Sequence, residues 1–183
     1  GINTQYIIGR KYIMKKIALL FAAFIGLTTL QSCTIEEYHG DGGEYSQVFE
    51  LTNETLSTKE DNYTYSATWD FTTPIYNSDN VLVYRWQGNS WTLIPVSYNL
   101  GGNDMVKYDY DFTRYDVKVY FSANFPVNDL TNAEYNEFVY RQTFRVVVVP
   151  GEFRQKMNFN DYNATIKALG LENASIKTMK LKK

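Results

Sequence analysis

From Gln47 almost to the end of the chain, apolar and polar residues alternate with a period of two, and this confines the chain to sheets. Tyr63, Tyr65, Ala67, Trp69 and Phe71 interleave with Thr64, Ser66, Thr68 and Asp70, which writes one apolar and one polar face on an extended strand. Val106, Tyr108, Tyr110 and Phe112 alternate with Lys107, Asp109 and Asp111, and Tyr115, Val117, Val119 and Phe121 repeat the pattern. Shorter strands are predicted over Gln47 to Thr52, Val81 to Trp86, Trp91 to Val96 and Tyr140 to Val149. Between Trp86 and Trp91, Gln87-Gly88-Asn89-Ser90 reads as a hairpin loop, with Gly-Asn suited to the positive φ of a tight turn.

Arg145 to Val149 carries valine on both parities, so it should lie inside a sheet and be covered on both faces. Pro150-Gly151 ends it. Asp129 to Glu137 suggests a short helical or irregular crossing. A helix is predicted over Asp161 to Leu169, capped by Asn160, with Tyr162, Ile166 and Leu169 on one face and Gly170 as its stop. Ser175 to Leu181 reads as a last strand. Many short strands with one late helix predict a mainly β domain, an antiparallel β-sandwich with a short C-terminal helix; an eight-stranded barrel is the competing closure.

The first third of the chain is of another kind. Lys15 and Lys16 precede the uncharged run Ile17 to Leu30, which is shorter than the ~20 residues a membrane-crossing helix needs. Then come Leu30-Gln31-Ser32-Cys33. Positive n-region, apolar h-region and small Ser32 make an export signal that is cleaved. The last four residues resemble the lipobox, in the looser form that tolerates Gln31. The expected organisation is therefore residues 1–13 as an upstream extension ahead of Met14, 14–32 as signal peptide, 33–45 as a tether and 46–183 as one β-rich domain. Cys33, the chain's one cysteine, would carry diacylglycerol and an N-linked acyl chain such as palmitate. It leaves no partner for a disulfide within the chain.

The tether holds Glu36, Glu37, Gly40, Asp41, Gly42, Gly43 and Glu44, too polar to build a core. Acidic residues there resemble the signal that sends some lipoproteins to the outer surface; a plain spacer is the other reading. Removing the leader takes four of the 18 Lys and Arg residues and none of the 20 Asp and Glu residues. The body left behind is more acidic than the chain's net −2, which argues against a nucleic-acid partner. Lys177, Lys180, Lys182 and Lys183 form the one basic cluster, read as a solvated edge in preference to a phosphate or headgroup patch.

Aromatic residues make up 16% of the chain, enough to build a core with few leucines. Tyr84, Trp86 and Trp91 meet near one hairpin, either as cross-strand pairs, the favoured reading, or as a platform on which pyranose rings stack. Asp109, Asp111 and Asp116, with Asn103 and Asp104 nearby, have carboxylates enough for Ca²⁺, but their spacing is that of polar strand faces and lacks an EF-hand loop. His39 stands alone on the tether. No P-loop, nucleophile elbow or dinucleotide turn occurs, so neither catalytic residues, metal ligands nor a cofactor are assigned.

The runs Val81-Leu82-Val83-Tyr84-Arg85-Trp86, Trp91-Thr92-Leu93-Ile94-Pro95, Tyr108-Asp109-Tyr110-Asp111-Phe112-Thr113 and Phe144 to Pro150 resemble small uncharacterised lipoproteins of Bacteroidetes-type bacteria, some labelled collagen-like. The resemblance is one of strands and covers roughly residues 47 to 155. It implies a lipid-anchored outer-membrane protein, facing the periplasm or the cell exterior, processed by the lipoprotein export machinery. The expected role is non-enzymatic: a binding or structural module with a glycan or envelope protein as partner. A carbohydrate-binding or glycan-processing accessory protein is the alternative.

Overall fold

The computed structural model describes residues 46–183, and in them the alternating pattern becomes two antiparallel sheets. One sheet has the order β1-β9-β4-β5, from Gln47–Glu54, Gln142–Val149, Asn80–Trp86 and Trp91–Leu93. The other runs β10-β3-β8-β7-β6, from Lys180–Leu181, Thr64–Asp70, Asp116–Ala123, Asp104–Phe112 and Val96–Gly101, with β2 (Thr58–Lys59) also on β3. The fold is a β-sandwich. The eight-stranded barrel is not formed, because β5 and β6 end as the edges of separate sheets. Between them Ile94 still donates to Val83, but Pro95 has no N–H to continue the ladder. The strand expected over Trp91 to Val96 therefore stops at Leu93, and a strand absent from the sequence reading, β6, starts at Val96 in the opposite sheet.

Phe49, Leu51, Val83, Phe144 and Val146 from the first sheet meet Trp69, Tyr108, Val119 and Phe121 from the second to form the core. Each fully buried apolar side chain of the size of Leu51 or Phe144 contributes roughly 1.5–3 kcal/mol. The indole N–H of Trp69 is buried there without a hydrogen-bond partner. Two short elements close one end: a 3₁₀ turn, Val127–Asp129, and α1, Asn132–Phe138, capped by the Thr131 hydroxyl accepting from the Glu134 N–H. They fulfil the irregular crossing expected near Asp129 to Glu137.

β9 lies inside its sheet as the valine pattern predicts, and its second face is covered too. Val147 and Val149, with Val48, Leu82 and Tyr84, pack beneath Phe153, Phe159, Tyr162, Ile166 and Leu171. This extra layer is built on α2, Tyr162–Ala168. Its cap is Asp161, whose carboxylate accepts from the Ala164 N–H at 2.9 Å. Asn160 instead bonds the side chain of Asn158. Gly170 stops the helix at φ +68°.

The last strand is shorter than expected because its two ends serve different sheets. Lys177 bridges β1, donating to the Val48 carbonyl and accepting from the Glu50 N–H, both at 2.9 Å. Lys180 and Leu181 then pair with Asp70 and Trp69 of β3. One tail so covers one margin of each sheet, at β1 and at β3, where backbone groups would otherwise stand unpaired and open to other chains.

Candidate functional site

The outward face of the β1-β9-β4-β5 sheet carries the aromatic residues singled out from the sequence. Trp86 and Trp91 are direct cross-strand partners, with ring centroids 4.9 Å apart at 51°. They form a pair across the hairpin, yet Trp86 keeps 37% of its surface exposed. Tyr84 does not join them as a stacking surface. It is 0% exposed, its hydroxyl donates to the Phe159 carbonyl at 2.6 Å, and its ring meets Tyr162 edge-on at 5.0 Å. Burial pushes its phenol up to about 12. Tyr84 is a support under α2, with Thr165 as a second hydroxyl contact.

The structure adds residues that the sequence reading misses. Arg145 holds its guanidinium carbon 4.5 Å over the Trp91 ring and 5.5 Å from that of Tyr162. It donates from Nε to Glu50 at 2.9 Å and from Nη1 to the Tyr162 hydroxyl at 2.6 Å. Register explains the meeting: Arg145 stands opposite Glu50 on β1 and Tyr84 on β4. The available signal was a charge on the outward parity of an otherwise valine-rich strand.

Beside Arg145 a groove of about 380 Å³ opens between α2 and the segment after it. Val48, Ile166 and Leu171 give it an apolar floor, and Asn163 and Glu172 stand on its margin. A smaller hollow of about 180 Å³ adjoins it where β1 begins, lined by Gln47, Leu171 and Lys177. There the Lys177 ammonium donates to the Gln47 side chain at 2.9 Å. A third hollow, about 190 Å³, lies on the other sheet beside Met105 and Lys107.

The carboxylates considered for Ca²⁺ are drawn to other partners. Asp111 accepts from the Tyr120 hydroxyl at 3.0 Å, and Asp109 accepts from the Tyr110 N–H. Asp116 accepts from Thr113 at 2.6 Å and from Lys182 at 3.1 Å, which together hold it below the usual carboxylate range. Among the described residues no three His, Cys, Asp or Glu side chains gather as metal ligands. Lys182 of the basic cluster spans Asp70 and Asp116, so part of that charge is neutralised by the sheet. Among the described residues no helix is long and apolar enough to cross a membrane. Leu30, Gln31, Ser32, Cys33 and His39 lie outside the described residues. Compared with family models, curated proteins and solved structures, the chain finds no match.

Proposed function

We propose that this protein is a lipid-anchored lipoprotein of the bacterial outer membrane whose β-sandwich acts as a non-enzymatic binding or structural module. The observation that carries the reading is the succession Lys15-Lys16, an uncharged apolar run, and Leu30-Gln31-Ser32-Cys33, set ahead of a domain whose first strand starts at Gln47. Acylated Cys33 would hold the chain at the membrane, since each buried CH₂ contributes about 0.8 kcal/mol and two long chains suffice for stable attachment. The glycine-rich, acidic stretch from Thr34 to Tyr45 would hold the sandwich away from the lipid surface, leaving its faces open to partners in the periplasm or outside the cell. Radiolabelled palmitate should enter the wild-type protein and not Cys33→Ser, and the variant should leave the membrane fraction. A wild-type protein that is unlabelled, uncleaved and soluble sinks the proposal.

A second reading, a carbohydrate-binding accessory protein, is favoured by one observation. Trp86 leaves more than a third of its surface uncovered although a partner ring stands directly across from it. Binding to a glycan array that vanishes in Trp86→Ala supports this reading; binding that persists unchanged in the variant opposes it.

A further inference from the structure

Trp86 is one end of a continuous surface. From it the rings step to Trp91 at 4.9 Å and on to Tyr162 at 5.6 Å. Arg145 lies against both Trp91 and Tyr162 and also lines the groove beneath α2. We infer that Trp86, Arg145 and this groove form one extended site for a neutral oligosaccharide, bound along several sugar units. The inference rests on the carbohydrate reading above and adds to it the length and charge of the ligand.

Three features argue for that ligand. A pyranose presents an apolar C–H face and a rim of hydroxyls, matched by an exposed indole at one end and by an apolar floor with polar margins at the other. At about 380 Å³ the groove is of ligand-binding size by itself, so a chain that also covers Trp86 must be longer than one sugar. Arg145 sits between the two parts, already oriented by Glu50 and Tyr162. Its five N–H donors exceed what those two groups take up, which leaves donors for hydroxyls. The charge balance selects against acidic sugars: Glu50 pairs with the one guanidinium here, and Glu172 stands on the groove margin. A uronate would find both nearby cations already engaged, Arg145 with Glu50 and the Lys177 ammonium of the adjoining hollow with Gln47, while Glu172 repels it.

The test uses the full chain in detergent and titrates it with maltohexaose, cellohexaose, xylohexaose and mannohexaose, with glucose, xylose and mannose, and with hexagalacturonate. One neutral hexasaccharide should bind at least about tenfold more tightly than its monosaccharide. Trp86→Ala at one end and Asn163→Ala at the other should each weaken it by about tenfold, with thermal unfolding unchanged. Equal affinity for monosaccharide and hexasaccharide, a silent Asn163→Ala, or preference for hexagalacturonate overturns the extended neutral site while leaving a sugar platform at Trp86. Failure of every carbohydrate to bind overturns both. Neither result touches the acylation of Cys33, which the palmitate experiment reads separately.

Discussion

The guanidinium carbon of Arg85 lies 4.8 Å from the ring centroid of Tyr108, joining a strand of one sheet to a strand of the other through the middle of the sandwich. Arg85 points inward from β4 and is 2% exposed. An isolated charge there would be prohibitive, but this one is enclosed. Rings of Tyr98 and Phe138 flank it at 5.5 and 5.4 Å. Its Nη2 donates to the Glu137 carbonyl at 2.7 Å, and Nε and Nη2 both reach the Gln142 side-chain oxygen. Tyr108 in turn donates its hydroxyl to the Phe138 carbonyl, so one cation and one phenol fasten the C-terminal end of α1 to both sheets.

Arg85→Ala should therefore cost about 3 kcal/mol or more, because it leaves a cavity and strips buried acceptors of their donor. Arg85→Lys should recover only part, since a single ammonium cannot fork between Gln142 and Glu137. Glu137→Gln should change stability by less than about 1 kcal/mol, because that carboxylate is 62% exposed and lies 3.4 Å away. Urea denaturation of the three variants checks the order, and a costly Glu137→Gln would contradict it.

Tyr84 predicts an alkaline signature. Its folded pKa is raised from 10.0 to about 12, mainly by burial. The stabilisation linked to its proton is complete below 10 and is lost as pH rises through about 12. Tyr84→Phe should flatten this part of the alkaline unfolding curve. At neutral pH it should cost about 1 kcal/mol, the value of the bond to the Phe159 carbonyl. Circular dichroism against pH for the two proteins provides the measurement.

What could be read from the sequence, and what could not, follows from the range of the forces involved. The strand around Trp69, the hairpin at Gly88 and the two-faced burial of β9 are written in local alternation, and each stands in the structure as expected. The break at Pro95 is local too, but switching sheets there is a tertiary decision, and it separates a sandwich from a barrel. Asn160 and Asp161 are both competent caps, and the helix that docks Tyr162 on Tyr84 takes Asp161 while Asn160 bonds Asn158. At the candidate site, Trp86 and Trp91 were legible because a hairpin brings them together. Arg145, Glu50 and Tyr162 come from three distant segments, and their meeting depends on cross-strand register and on α2 folding back, which no local pattern encodes.

Acid sensitivity should appear on the outer face of the second sheet. Glu60 is held below its ordinary 4.5, chiefly by its hydrogen bond with Lys118 and then by that from Ser66. The contacts are 2.6 Å in each case. A depressed carboxylate stabilises the fold above its unfolded pKa, and that stabilisation is lost as pH falls through the folded value. Both side chains are about 30% exposed, so solvent screening keeps the effect within roughly 0.2–1 kcal/mol. Melting temperatures taken from pH 7 downward should fall less steeply through the carboxylate range for Glu60→Gln than for wild type. Added salt should narrow the difference between them at pH 7.

Gly151 is the position where a single methyl group should do most damage for its size. A Cβ placed there would stand 2.6 Å from both the Cβ and the backbone oxygen of Ser78, well inside contact distance. The two segments are also tied through the buried Asp79 carboxylate, which accepts from the Tyr76 N–H at 2.9 Å and from the Gly151 N–H. Backbone at Gly151 thus cannot retreat without stretching a hydrogen bond to a group that burial already holds above its usual pKa. Gly151→Ala should destabilise by about 1–3 kcal/mol, the range of overpacking. Adding Ser78→Gly should return only part of the loss, because removing the serine Cβ leaves its carbonyl in the way. Chemical denaturation of the single and double variants decides the matter: a double variant as stable as wild type would mean that side-chain crowding alone, and not the approach of the two backbones, requires glycine here.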